Sequence, residues 1–300
     1  MKNPAMKNPE DKFNFIESIP FFLLHLSVLL VFYVGFSWLA FGICIALYYV
    51  RMFAITAGFH RYFSHRSFET SRFFAWILAF LGTMSAQRGP LWWAAHHRHH
   101  HKYSDTEEDI HSPGIKGVLH AHLGWIYVEK YQKTNLKLIP DMAKYRELLW
   151  LDNYHYIAPV TFGILVAILG YFIESATAGA VSCGQVFVWG FCVSTVLLYH
   201  GTFAVNTWAH IFGSRRFETE DQSRNSFLLA LITLGEGWHN NHHRYPGSER
   251  QGFYWWELDI SHYILKFLSW FGIVWNLRTP PERILAEGRQ NKALVPQTDF

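Results

Sequence analysis

Eighteen histidines stand in a chain of 300 residues, and eleven of them fall in four short strings. HRYFSH carries His60 and His65. HHRHHHK runs from His96 to Lys102. NTWAH holds Asn206 and His210, and HNNHH holds His239, His242 and His243. On an α-helix, positions i, i+3 and i+4 fall within an arc of about 100°. His239, His242 and His243 would converge on one side. So would either His97, His100 and His101 or His96, His99 and His100; spacing does not choose between these registers. Asn206 and His210 share a face. His60 and His65 lie about 140° apart on an α-helix, so they would face different metals or straddle a helix end.

Neutral imidazole is the commonest protein metal ligand, and it suits iron, zinc, copper and nickel alike. Nine converging rings exceed what one ion accepts. Two metals with four or five ligands each is the natural count. Without metal, each protonated ring would repel the rest. The other histidines read differently. His25 and His200 stand alone in apolar stretches and are expected to be hydrogen-bonded structural residues. His120, His122, His155 and His262 read as surface, interfacial or supporting residues, and His111 as a candidate to support a ligand. Two ExxH strings, Glu108/His111 and Glu236/His239, read as incidental, because no second Glu pair lies on an amphipathic bundle helix.

The elements that must position these residues are apolar. Half of the chain is hydrophobic, 18% is aromatic and only 16% is charged, against about 25% charged in a soluble domain. Disorder and a collagen-like fibre are excluded, and lipid is indicated. A net charge of +3 without a basic stripe gives no support to nucleic-acid binding. Cys44, Cys183 and Cys192 form no CxxC pair and read as inert thiols.

The apolar block 20–57 is too long for one span of about 20 residues and right for two. The block 156–206 is interrupted by ESATAGAVSCGQ and again gives two. The fold class expected is an all-α integral membrane protein with four transmembrane helices in two hairpins, spans 19–35, 38–57, 156–174 and 184–205. Phe73–Ala86 is too short to cross and reads as a buried or interfacial helix. Every Lys and Arg lies in the N-terminal tail (1–18), in 51–155, or after Ala209. The positive-inside rule places these on the cytoplasmic side. Segments 58–155 and 207–283 then form one cytoplasmic helical cap holding a poly-histidine di-metal site, within a single domain 19–283. Residues 284–300 read as a solvated or frayed tail.

HRYFSH, HRHHHK, NTWAH and HNNHH, in this order with a hydrophobic hairpin between the second and third, resemble the membrane fatty-acyl desaturases, Δ9 (stearoyl-CoA type) branch. The likeness covers roughly residues 20–280. It implies a di-iron site held by His60, His65, His97, His100, His101, His210, His239, His242 and His243, with zinc as a substitute after overexpression. Asn206 matches the asparagine that holds a metal-bound water. The second box of that branch, HRxHHK, favours His97, His100 and His101 and makes His96 and His99 extra. Gln87, Trp93 and Thr202 match positions that shape a kinked acyl tunnel. O2 and two electrons would turn a CH2–CH2 pair into a cis double bond. An unactivated methylene has no useful acidity, so a redox metal must carry that step.

The resemblance also shows departures. The Arg-Asp pair that contacts the CoA headgroup is Ala95 and His96 here, and of a basic pair after the GW motif only Lys130 matches. Acyl-CoA is the expected substrate, with acyl-lipid and acyl-carrier-protein substrates open. No HPGG string is present, so a separate ferredoxin, rubredoxin or cytochrome b5 with its reductase would deliver electrons. Arg215, Arg216, Arg244 and Arg250 form a basic patch that could dock it. QRGPLWWAAHHRHHHKYSD resembles bacterial members, which implies the inner membrane. Rival readings are a fatty acyl hydroxylase on the same scaffold and a metal transporter, which would place its ligands near the membrane midplane.

Overall fold

The computed structural model describes residues 12–294; the MKNP repeat at Met1 and Met6 lies outside the described residues. Four helices are long and apolar enough to cross a membrane: α1 (Phe15–Val34), α2 (Trp38–Ser64), and two more in the second half of the chain. Asn14 caps α1 by accepting from the Glu17 amide (3.2 Å), and Ser37 caps α2 by accepting from the Ala40 amide (3.4 Å). Between them Gly35 turns the chain at φ 75°, a conformation that costs glycine little. The segment expected as a tail to residue 18 already holds the first turn of α1. Just before it, the Asn14 amide donates to Tyr127 O (2.8 Å) and the Glu129 amide to Lys12 O (2.9 Å).

The last eleven residues of α2, Ala54–Ser64, are wound as a π-helix. The next amide continues the pattern, His65 N–H reaching His60 O five residues back (3.2 Å). At 1.5 Å per residue, α2 is about 40 Å long, more than the ~30 Å apolar layer of a bilayer. It does not end near residue 57 but carries His60 outward on the same rod. Polar residues mark the edge of the apolar layer, not the end of the helix, and no proline interrupts the backbone there.

Helices α3 (Arg72–Thr83) and α4 (Pro90–Tyr103) follow. The second hairpin is α5 (Ile157–Ala176) and α6 (Cys183–Ile211), the latter begun by a capping box of Ser182 and Gln185. α6 also outruns its expected end at 205 and so presents Asn206 and His210. Arg51 of α2 is buried against it, donating to Ser194 Oγ (2.6 Å) and Thr195 Oγ1 (2.7 Å) and lying over the Phe162 ring of α5. The three cysteines are unpaired.

The remaining segments pack as a cap. A two-residue antiparallel pair, β1 (Glu69–Thr70) with β2 (Val274–Trp275), ties the first histidine string to the end of the cap. Helices α7 (His239–Arg244), α8 (Ile260–Trp270) and α9 (Glu282–Leu294) complete it. Phe59, Phe63, Phe68, Leu78, Leu91, Ile139, Met142 and Leu151 are fully buried in the core beneath the site, each contributing about 1.5–3 kcal/mol by burial. Gly82 of α3 is needed there, since a Cβ would lie 2.5 Å from the Phe59 ring.

The expected frayed tail from 284 is corrected. α9 is helical, and Ile284 is buried with Phe217, Phe253 and Tyr254. Gly288, one turn on, lets the Tyr254 hydroxyl and Phe217 ring approach. That short apolar face is too sparse to show as a period in the sequence.

Candidate metal centre

Two helix ends and two cap helices bring the histidines together. His60 and His65 leave the π-wound end of α2. His97, His100 and His101 come from α4, His210 from α6, and His239, His242 and His243 from α7. Their ring nitrogens gather in two groups, each within 4.8 Å of one another: His60, His65, His97, His101 and His242 in one, His100, His210, His239 and His243 in the other. All nine rings of the set that the resemblance implies are here. The groups adjoin, the His101 and His243 rings stacking at 4.4 Å.

The π-helix resolves the His60/His65 pair. With i→i+5 bonding, residues five apart lie almost one above the other, so both rings enter one group instead of diverging by 140°. The register of α4 is set by Arg98. It donates to Ser64 O (2.7 Å) and Phe63 O (3.0 Å) at the end of α2 and pairs with Asp141. With that face locked, His97 and His101 point at His65. His96 instead packs tilted against the Trp92 ring and bonds Trp92 O (2.8 Å), and His99 bonds Glu108 O (2.9 Å).

The rings meet through Nε2: His65 with His97 at 2.7 Å, His60 and His101 with His242 at 3.0 and 2.8 Å, and His210 with His239 at 3.1 Å. Carboxylates hold the opposite nitrogens. Nδ1 of His60 meets Glu236, that of His100 meets Asp109 (3.0 Å), that of His210 meets Asp105 (2.8 Å) and that of His243 meets Asp221 (2.6 Å). Such partners fix the tautomer and aim the bare Nε2 inward. Burial first, then repulsion between rings, holds His65, His97, His101, His239 and His242 well below the usual imidazole value. Burial pushes His243 to about 4 even against Asp221. His100 goes the other way: burial lowers it, but the carboxylates of Asp109, Asp105 and Asp221 together raise it above the usual value.

Neutral rings aiming lone pairs at one another are an arrangement that cations satisfy. His243 Nε2 is buried with no hydrogen-bond partner. The donor set therefore fits two transition-metal ions, and imidazole alone leaves iron, zinc, copper and nickel equivalent.

Glu236 corrects one expectation. It is not incidental but contacts His60, Arg61 Nε (3.2 Å) and Gln251 Nε2 (3.0 Å). With Asp105, Asp109 and Asp221 it was missed as a supporting residue. The available signal was the run of acids directly after the second box, YSDTEED. His111, read as supporting, lies buried against Asp109 and the His100 ring. His25 and His200 bond each other at 3.3 Å, and His200 bonds His122 at 3.0 Å, as structural residues would. The basic patch is corrected too. Arg216 pairs with Glu257 and Arg244 with Glu287, while Arg215 and Arg250 bond backbone carbonyls within the cap.

A small cavity of ≈ 40 Å³ touches both groups, with Asn206, Thr202 and Trp93 in its wall. Those three residues, with His97 and Gln87, also line a cavity of ≈ 640 Å³. Gln87 Nε2 donates across that cavity to Thr202 Oγ1 (3.1 Å), and Trp93 stacks on the His97 ring at 5.0 Å. From there the cavity runs among apolar residues of α1, α5 and α6, including Leu24, Leu30, Phe187 and Phe191. Lys130 stands apart, over the Tyr131 ring.

A four-span helical membrane protein with nine clustered imidazoles beside a long apolar cavity is a membrane metalloprotein built to receive a hydrocarbon chain. The family model "Fatty acid desaturase" matches residues 36–276. An sn-1 stearoyl-lipid 9-desaturase from Synechocystis sp. is 37% identical over 88% of this chain and 80% of its own length. An acyl-CoA C20 Delta5-desaturase from Anemone leveillei is 35% identical over 82% and 76%. A hex-5-enoyl-[acyl-carrier protein] acetylenase from Moorena producens is 32% identical over 86% and 83%. The chain belongs to the fatty acid desaturase family.

Proposed function

We propose that this protein is an O2-dependent desaturase that introduces a cis double bond, at Δ9, into a saturated acyl chain, with iron in both histidine groups. The observation that carries this reading is the Gln87–Thr202 hydrogen bond, which pinches the long cavity beside both groups. His60, His65, His97, His101 and His242 would hold one iron. His100, His210, His239 and His243 would hold the other, and Asn206, in the wall of the small cavity touching both groups, would hold its water. When bound, the metals supply the oxidising power: O2, two electrons and two protons, with CH2–CH2, give cis CH=CH and two waters. The protein's own residues do the rest. Gln87 and Thr202 bend the chain, Trp93 presses it toward His97, and the apolar wall excludes water, so one carbon pair is presented.

A glycerolipid fits best as the acyl carrier. Cavity walls include the exposed apolar residues Leu23 of α1 and Val160 of α5, which would face lipid, and the CoA-contacting pair is replaced by Ala95 and His96. Acyl-CoA is the second reading, favoured by Lys130 at the cap surface. Electrons would come from a separate ferredoxin, rubredoxin or cytochrome b5. The charge distribution supports a cytoplasmic cap with both termini inside, and the likeness of QRGPLWWAAHHRHHHKYSD to bacterial members supports an inner membrane.

The test is a fatty-acid profile by gas chromatography–mass spectrometry in a host lacking unsaturated lipids, with ferredoxin and its reductase co-expressed and palmitate or stearate fed. An O2-dependent cis-Δ9 monoene is expected. A hydroxylated product, or no product with the donor present, would overturn the reading.

A further inference from the structure

The long cavity has a charged end that the chemistry above does not use. Among the residues lining it, Arg88 is the single lysine or arginine and Glu17 the single carboxylate. Arg88 directly follows Gln87 and holds φ 64°, which few side-chain-bearing residues adopt. Its guanidinium lies 5.4 Å from the Trp92 ring, donates to Gln132 O at 3.3 Å and reaches Glu17 Oε2 at 3.3 Å. Burial pulls it below its ordinary value even with Glu17 beside it, so Glu17 only partly compensates the charge.

Glu17 is the weaker-held partner. Its side chain is 53% exposed against 21% for Arg88. It sits in the first turn of α1, a helix with only 6% of its most apolar window buried. The end of a spanning helix is also the depth at which lipid phosphates lie. A planar guanidinium fork matches a phosphate better than it matches one oxygen of a carboxylate at 3.3 Å.

We propose that Arg88 anchors the phosphate of the acyl carrier and that Glu17 is a latch, pairing with Arg88 when the cavity is empty and displaced when phosphate enters. This rests on the acyl-substrate reading above. The phosphate belongs either to a glycerophospholipid or to the pantetheine arm of CoA. In the first it lies a few bonds from the acyl ester, in the second much farther.

The test uses the full chain in nanodiscs. Binding of three stearoyl probes is measured on metal-free protein, and KM and kcat on the iron-loaded protein with electron donor. The probes are phosphatidylglycerol, stearoyl-CoA and a neutral galactolipid. Arg88→Gln should cut the preference for a phosphate-bearing probe over the galactolipid about ten- to thirtyfold, in Kd and KM more than in kcat. Glu17→Gln should act in the opposite sense, tightening the same probe about two- to fivefold. The probe that responds names the source. If both variants weaken binding alike, the pair merely clamps α1 and the proposal is wrong; equal loss on the galactolipid, or no change for either phosphate probe, also overturns it. Should Arg88→Gln fail to fold, the sign of the Glu17→Gln effect still decides. A protein that binds as expected but makes no monoene would sink the desaturase reading alone.

Discussion

Asp221→Asn is a near-isosteric change aimed at one metal group. Asp221 Oδ2 accepts from His243 Nδ1 at 2.6 Å, and its Oδ1 accepts from the Ser223 amide and the Thr219 hydroxyl, both at 2.9 Å. An asparagine has one acceptor and one donor end. Either its NH2 faces His243 Nδ1–H, or it turns over and faces the Ser223 amide. In the first case the imidazole shifts its proton to Nε2, the atom that would bind metal. In the second a buried amide loses its acceptor. The pair is shielded from water, with side chains 2% and 10% exposed, so the charge-assisted bond is worth about 1.5–3 kcal/mol. Loss of such a support costs about 10–100-fold in metal affinity, or about 1.4–2.7 kcal/mol at 1.36 kcal/mol per tenfold. The assay is metal per chain by mass spectrometry after dialysis against graded chelator. The variant should lose one ion of two at a chelator concentration that leaves the wild type with both, because His243 serves only the second group. Simultaneous loss of both ions, or retention of both through a hundredfold range, would refute the two-group assignment.

Three further outcomes are expected. His210→Ala should abolish activity while the protein still inserts in the membrane, since its Nε2 meets His239 at 3.1 Å in the smaller group; full activity there would end the nine-ligand assignment. His96→Ala and His99→Ala should each keep two metals, because these rings face Trp92 and Glu108 rather than the groups; elemental analysis checks this against His101→Ala, which should lose metal. Acid should destabilise the metal-free protein from about pH 6.5 downward. Five imidazoles have folded values far below their unfolded 6.5. Stability is then full above 6.5 and falls as pH drops toward the folded values, by about 1.36 kcal/mol per pH unit per proton taken up. Thermal melts from pH 8 to 5 measure it, and a flat profile would show that the rings are not buried neutral.

Much of the architecture was legible because membrane spans announce themselves. Charge-free runs on either side of residues 35–37 and 177–182 can satisfy their backbone in lipid only as helices, and α1, α2, α5 and α6 lie there. Their cap-side ends were not legible: hydropathy registers the lipid boundary, and α2 and α6 cross it intact to carry His60, Asn206 and His210. The α9 helix was missed because a single buried turn around Ile284 has too few apolar residues to make a period.

The sequence alone determined the candidate ligand type and the grouping of the histidines into four strings, because imidazole chemistry and helical spacing are local properties. Three matters waited for the tertiary structure. The π-winding at the end of α2 put His60 and His65 in one group. Arg98, braced on Ser64 O and Asp141, chose the register of α4. Packing of the cap brought Asp105, Asp109, Asp221 and Glu236 behind the rings they orient. Each depends on which surfaces meet across long sequence separations, and a hydrogen bond between Asp105 and His210 has no trace in the spacing of either.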